Sequence, residues 1–497
     1  MGDPRPSRPA PVDAGQPGPR EDAPPPLRLP PDLDRGAALS PLVHADHPHP
    51  LHAVRPAVPP RPEDAAGFLR VLRKGDFRYL WFAQCVSQFA QNCIFIILLI
   101  VIYRISQRAS ISAVVAVLFT LPGVVLSAPA GVFADRHDKR TLMLVTNLAR
   151  AVLLILAGLS TLATGLRGQA WPLLVFTLLF SSAGQLFAPA EAASIPSLVS
   201  REQLQGATSL FMTTVILTIV LGAALGSVSV GIFGDAIPFY IAAAFFGVAA
   251  LFIWRIGASL HAVPEGNVPQ AHILAELREG LAILRRSPPL RWGMIELGLA
   301  LVIVFTIYAL GPDYMTGLLG SRGDQQTYVV LLPATFGLVA MAGVLGQHLI
   351  TLTRRTLMVT AFLSAGGCLL AIGIGPPLLH HADLTSLAVP LVVLLALVFG
   401  LALGAVVIPA FTVLQEGTTE ESRGRIFGGV FTVVNVAIAI PALLAGAIAD
   451  AFSVYVSAAA VGIIVIAIGL GFRLAFWERL KVLGDGRAGG DRSAGGP

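Results

Sequence analysis

From Phe68 onward the chain alternates long apolar runs with short polar turns. The runs are 77–104, 110–134, 141–164, 172–197, 206–232, 236–257, 291–316, 327–351, 355–375, 386–414, 425–449 and 452–477. About 20 helical residues rising about 1.5 Å each cover a hydrocarbon core about 30 Å thick, so every run is long enough to cross a bilayer as a helix. That predicts twelve spans, six on each side of a polar gap at 258–290. Inside the gap Ile273, Leu274, Leu277, Leu281 and Leu284 recur at helical spacing opposite Glu276, Arg278 and Glu279, the pattern of an amphipathic helix lying on the membrane surface. Phe68–Asp76 reads as a short basic lead-in to the first span. The expected fold class is an all-α membrane protein of twelve transmembrane helices in two six-helix halves, 68–257 and 291–480, joined by a cytoplasmic linker at 258–290.

The flanks follow different rules. Residues 1–66 hold half of the chain's 36 prolines and show no apolar periodicity, so a disordered tail is expected there, with a second at 481–497. The first tail has no continuous apolar core of the kind a signal peptide needs. It does contain His44, His47, His49 and His52, whose spacing could bind a metal ion, although a plain cytoplasmic extension is the expectation and no metal site is assigned.

Composition agrees with the pattern: 55% of the 497 residues are hydrophobic and only 13% charged, against about 25% in soluble proteins. Such a chain must use lipid as its solvent. The net charge of +5 does not point to nucleic acid, because the basic residues sit in turns between apolar runs. The turns with Arg136, Lys139, Arg140, Arg201, Arg354, Arg355, Arg423 and Arg425 are richer in positive charge than the opposite ones, which hold Arg104, Arg108, Arg167 and Arg322. That bias predicts that both termini lie on the cytoplasmic side of the membrane. Cys85, Cys93 and Cys368 lie inside apolar runs and read as small core residues. No Gly-rich phosphate loop is present and lysine is nearly absent, so direct drive by ATP is not expected; no enzyme activity and no cofactor are assigned.

An internal repeat relates the two sets of runs. KRTLMLVT begins at Lys139 and RRTLMVT at Arg354; Pro189–Ala190 in the fourth run is echoed by Pro409–Ala410 in the tenth. Between runs two and three stands GVFADRHDKRTL, Gly131 to Leu142. It resembles the loop 2–3 signature of the major facilitator superfamily, with Gly131, Asp135, Arg136, Lys139 and Arg140 in its positions and Asp138 in place of the usual second glycine. FAPAEAASIPSLVSREQLQGAT at 187–208, AELREGLAILRRSPPLR at 275–291 and ESRGRIFG at 421–428 are similar to the superfamily's drug–proton antiporter branch, which includes macrolide-efflux-like and enterobactin-exporter-like proteins. The resemblance covers about residues 68–480. Two features depart from the branch: run four lacks an intramembrane arginine, and Gly222–Ser227 lacks the proline and last glycine of the antiporter motif. The resemblance implies export of drugs or siderophore-like metabolites in exchange for protons, by a monomer. Importing a small polar nutrient and acting as a non-transporting sensor or scaffold are the alternatives.

Four groups of residues are candidates for the work. By resemblance, Asp135 and Arg136 latch the cytoplasmic side in the outward-facing state; a carboxylate at that position could also cap the third helix. Gln84, Gln88 and Gln91 share one helical face, with Ser87 and Asn92 beside them, and polar stripes of this kind line a cavity or bond to neighbouring helices. Gln185 and Asn435 are weaker members of the same class. Glu296 and Arg150 lie within spans and are proton-coupling candidates, while Glu191 and Glu416 follow the Pro-Ala pairs as coupling or gate residues. Gly222 and Gly226 predict a close helix contact, Pro122, Pro129 and Pro441 predict kinks, and Asp313 and Asp450 are expected to be solvated or capping.

Overall fold

A computed structural model describes residues 75–258, 260, 287–320, 323–346, 353–416 and 437–490, together with Gly2. All of these but Gly2 belong to one compact unit. The amphipathic linker helix and the two tails, apart from residues 481–490, lie outside the described residues.

The first half contains α1 (Gly75–Ser106), α2 (Ala109–Val125), α3 (Ser127–Arg136), α4 (Lys139–Leu162), α5 (Trp171–Leu198), α6 (Arg201–Phe233) and α7 (Ile237–Trp254). The second contains α8 (Pro288–Leu319), α9 (Tyr328–Gly346), α10 (Arg354–His381), α11 (Ala388–Glu416), α12 (Ala437–Ala451) and α13 (Val454–Gly490). Ten of these helices are long and apolar enough to cross a membrane, and α2 and α12 are shorter apolar helices. Counting α2 and α3 as one bent span gives the twelve that the apolar runs predict. We call the end of the bundle carrying Gly75, Lys139 and Trp254 the near end, and the opposite end, carrying Ser106 and Ala109, the far end.

The break in the second span has a covalent cause. Proline has no N–H and its ring clashes with the carbonyl four residues back; for Pro129 that residue is Val125, the last of α2. Leu126 fills the corner, donating to the Pro122 carbonyl at 2.7 Å and accepting from Ala130 at 2.8 Å. At the other extreme α13 continues to Gly490, beyond the run ending at 477 and into the expected C-terminal tail. Arg479, Leu480 and Lys481 there are good helix formers.

The repeat is structural. Lys139 and Arg354 each open the third span of their half, and each of these helices has an N-cap one residue earlier. Asp138 accepts from the Thr141 N–H at 2.8 Å, and Thr353 accepts from that of Thr356 at 3.4 Å. The cap of α4 is therefore Asp138 rather than Asp135, which lies on the last turn of α3. Asp138 is three residues from the N–H it binds, the register a side-chain cap requires.

Helix α1 is the axis of the first half. Every residue from Cys93 to Tyr103 is buried, so this stretch is apolar all round and enclosed. It packs on α2, α6 and α7, and on α8 of the second half. The predicted glycine contact is present: a Cβ at Gly222 would stand 2.5 Å from Asn92 Cβ, and one at Gly226 2.7 Å from the Cys93 carbonyl oxygen. Only hydrogen fits there. In the second half α10 packs along α13 and α11, and α9 along α11.

Candidate functional site

Helix α4 has two faces. Val145, Leu148, Val152, Ile155 and Leu159 are exposed on its outer side, as lipid-facing residues should be, while Met143, Asn147, Arg150, Leu154 and Ala157 are buried on the inner side. Arg150 is thus held at mid-depth inside the first half, with 2% of its surface exposed. Its Nη1 donates to Gln91 Oε1 of α1 at 3.1 Å, and its Nη2 to Asn147 Oδ1 at 2.6 Å.

Three rings enclose the guanidinium. Its Cζ lies 4.6 Å from the centroid of Phe246 of α7, and 5.0 Å and 6.0 Å from those of Phe187 and Phe180 of α5. A desolvated cation over an aromatic face gains about 2 kcal/mol, which partly offsets the cost of taking the charge out of water. Gly184 sits between the two phenylalanines on α5, where a Cβ would come 3.7 Å from Nη1 and 3.9 Å from Gln91 Oε1. A longer side chain would invade the space that the cation occupies.

Glu191, two turns beyond Gly184 on α5, lies within Coulombic range of Arg150. Four buried polar atoms here have no partner among the described residues: the acceptors Glu191 Oε1 and Gln84 Oε1, and the donors Arg150 Nε and Asn147 Nδ2. Each such atom costs about 1–3 kcal/mol when left unpaired. The centre is therefore charged, enclosed by aromatic rings and incompletely satisfied among the described residues.

The glutamine stripe divides. Gln91 is taken up by Arg150, while Gln84 and Ser87 are buried, the Ser87 hydroxyl donating to the Gln84 carbonyl of its own helix. Asn92, which donates to its own helix at the Gln88 carbonyl, packs instead against Gly222 of α6. Further toward the near end on the α6 side, Trp81 Nε1 donates to Thr214 Oγ1 at 3.0 Å. Gln88 and Gln185 are half-buried. Glu296 is not isolated: its Oε2 accepts from Arg354 Nη2 at 2.7 Å, clasping α8 to the start of α10. At the near end Asp76 accepts from the Gly257 and Ala258 N–H groups at 3.1 and 3.0 Å, and Arg140 donates to the Trp254 carbonyl. Gly131 and Arg136 lie on α3, Lys139 is buried, and Asn435 and the side chains of Asp135, Glu416 and Arg201 lie outside the described residues.

Sequence reasoning missed Asn147, Phe180, Gly184, Phe187 and Phe246. The signals available were the three-residue spacing of Asn147 and Arg150, and the Phe-x-x-x-Gly-x-x-Phe face of α5. The positive charge absent from the fourth span is supplied by the third, aimed at α5.

Two six-helix halves packed along buried inner helices, with an ionisable centre at mid-depth, define a membrane transporter rather than an enzyme. The chain matches the profile described as Major Facilitator Superfamily over residues 80–440, and it belongs to that family. It is 26% identical to the uncharacterized MFS-type transporter YfiS of Bacillus subtilis, over 71% of this chain and 81% of that one. It is 25% identical to the multidrug efflux pump Tap of Mycobacterium tuberculosis, over 72% of this chain and 83% of the pump. Among solved structures, the nucleoside transporter NupG shares the fold with a TM-score of 0.57 at 14% identity, over 80% of this chain and 99% of NupG.

Proposed function

We propose that this transporter exports small amphipathic or hydrophobic compounds from the cytoplasm in exchange for protons, by alternating access of its two halves. The observation that carries the coupling is the Arg150–Glu191 centre. A guanidinium keeps its charge at any working pH, so Glu191 is the member of the pair that gains and loses a proton. When it is ionised it attracts Arg150; when it is neutral that attraction is gone and Arg150 relies on Gln91, Asn147 and the rings. Proton binding therefore changes what holds α4 to α5 and α1. Glu296, already engaged by Arg354, serves as a clasp within the second half.

Direction is supported by the similarity to a multidrug efflux pump. An apolar bundle whose polar lining is amide in character suits poorly hydrated compounds better than sugars or phosphates. The near end is the cytoplasmic one on the charge bias of its turns, and the Asp135–Arg136 turn is its gate. The protein acts as a monomer in the cytoplasmic membrane.

Cells expressing the wild-type chain should accumulate less of a lipophilic cationic dye than cells with empty vector, and an uncoupler should erase the difference. Glu191→Gln should lower efflux at least about tenfold while the protein remains in the membrane. Higher accumulation in wild-type cells would mean import and overturn the proposed direction.

A further inference from the structure

The helix α2 starts without a cap of its own. Its N-cap residue is Arg108, whose side chain accepts no hydrogen bond, so the first N–H groups need an acceptor from elsewhere. That acceptor is Asp450, 340 residues away on the last turn of α12 in the other half. Its Oδ1 accepts from the Ala109 N–H at 2.7 Å, and its Oδ2 from the Ser110 N–H at 3.2 Å and from the Ser110 hydroxyl. A carboxylate here also meets the positive end of the α2 dipole.

Two neighbouring features belong to the same contact. One turn before Asp450, Gly446 lets α12 touch the α2 backbone, since a Cβ there would stand 2.9 Å from both the Ala109 oxygen and the Ser110 Cα. Beside it, Asp313 of α8 accepts from the Tyr103 hydroxyl of α1 at 2.6 Å. Four side-chain hydrogen bonds between the halves lie in this far-end cluster. The halves meet there through two aspartates of the second half and donors of the first.

We propose that Asp450 is a gating residue: it caps α2 from the opposite half, and this cap holds the far end of the transporter shut. The bond exists only while the halves are together, so it stabilises the far-end-closed state and nothing else. Opening the far end returns the Ala109 and Ser110 N–H groups to water. Asp450 touches no transported compound; it sets the balance between the two access states. The role rests on the alternating-access cycle proposed above.

Spin-label distances test it in the full-length protein in lipid nanodiscs, with Cys85, Cys93 and Cys368 replaced by alanine. Labels at Thr164 and Ser386 span the halves at the far end, and labels at Ser200 and Ser287 span them at the near end. Asp450→Ala should lower the far-end-closed population relative to the open one by about tenfold, with near-end distances shortening in step. Ser110→Ala, which removes only the hydroxyl bond and should fold normally, should shift it the same way by about twofold. Asp235→Ala, which breaks the far-end ion pair with Arg104 inside the first half, should leave the inter-half distances unchanged. Far-end distances in both Asp450→Ala and Ser110→Ala identical to wild type would overturn the gate. Far-end opening without any near-end movement would support the gate but overturn the transport cycle on which it rests.

Discussion

Arg150 keeps a full charge inside the first half because five neighbours share the cost of its burial: two amides, and three rings that face it. Arg150→Lys keeps the charge but loses the planar fork that reaches Gln91 and Asn147 together. It should reduce transport about tenfold or more, and dye efflux at matched membrane expression checks this. Arg150→Ala should be worse, since it leaves Glu191 as a buried carboxylate without its counter-charge. Glu296 behaves differently because one of its oxygens is engaged by Arg354, whose side chain is 21% exposed. With the Glu296 side chain only 5% exposed the pair is largely buried, and a double-mutant cycle on thermal stability should return a coupling of about 1–3 kcal/mol. Glu296→Gln should leave the uncoupler sensitivity of efflux intact, whereas Glu191→Gln should abolish it.

At the scale of helices, single residues decide where chain bends and where helices touch. Pro129 ends α2 because it leaves the Val125 carbonyl without a donor; of the two kinks expected in that span, at Pro122 and Pro129, the helix breaks at Pro129 and runs through Pro122. Gly226 meets the backbone of α1 at a distance no Cβ tolerates. Gly226→Val should destabilise the first half by several kcal/mol and should be seen as loss of folded protein on detergent size-exclusion. The same residues show what sequence discloses. Twelve apolar runs, the KRTL and RRTL repeat, and the Gly222–Gly226 face could all be read from local spacing. The α4 cap was misplaced by three residues, since Asp135 and Asp138 are equally plausible until the helix start is known. The aromatic enclosure of Arg150 was not legible, because its rings come from α5 and α7, and chain order does not say that both helices pack on α4. Asp450 reads in the sequence as a solvated or capping end residue; it does cap, but the helix it caps was hidden because its partners are 340 residues away.

Over the whole molecule, the charge centre and the inter-half contact are linked by a row of rings. Phe305 of α8 meets Phe95 of α1 across the halves with centroids 5.1 Å apart, and Tyr308 stands beside Phe305 on α8 at 6.3 Å. Phe95 contacts Phe119 of α2 at 5.0 Å, and Phe119 contacts Phe180 at 6.0 Å, beside Arg150. A change at the centre and a movement of one half against the other therefore share packed atoms, as an alternating-access machine requires. Its central claim is that a proton gradient drives the cycle through Glu191. The most direct measurement reconstitutes the purified chain in liposomes loaded with a lipophilic cationic dye, imposes a pH gradient without a membrane potential, and follows dye movement. Wild-type protein should move dye against the proton flow, reverse when the gradient is reversed, and Glu191→Gln should show no gradient-driven movement. Wild-type transport indifferent to the gradient, or Glu191→Gln transport that still follows it, would contradict the account.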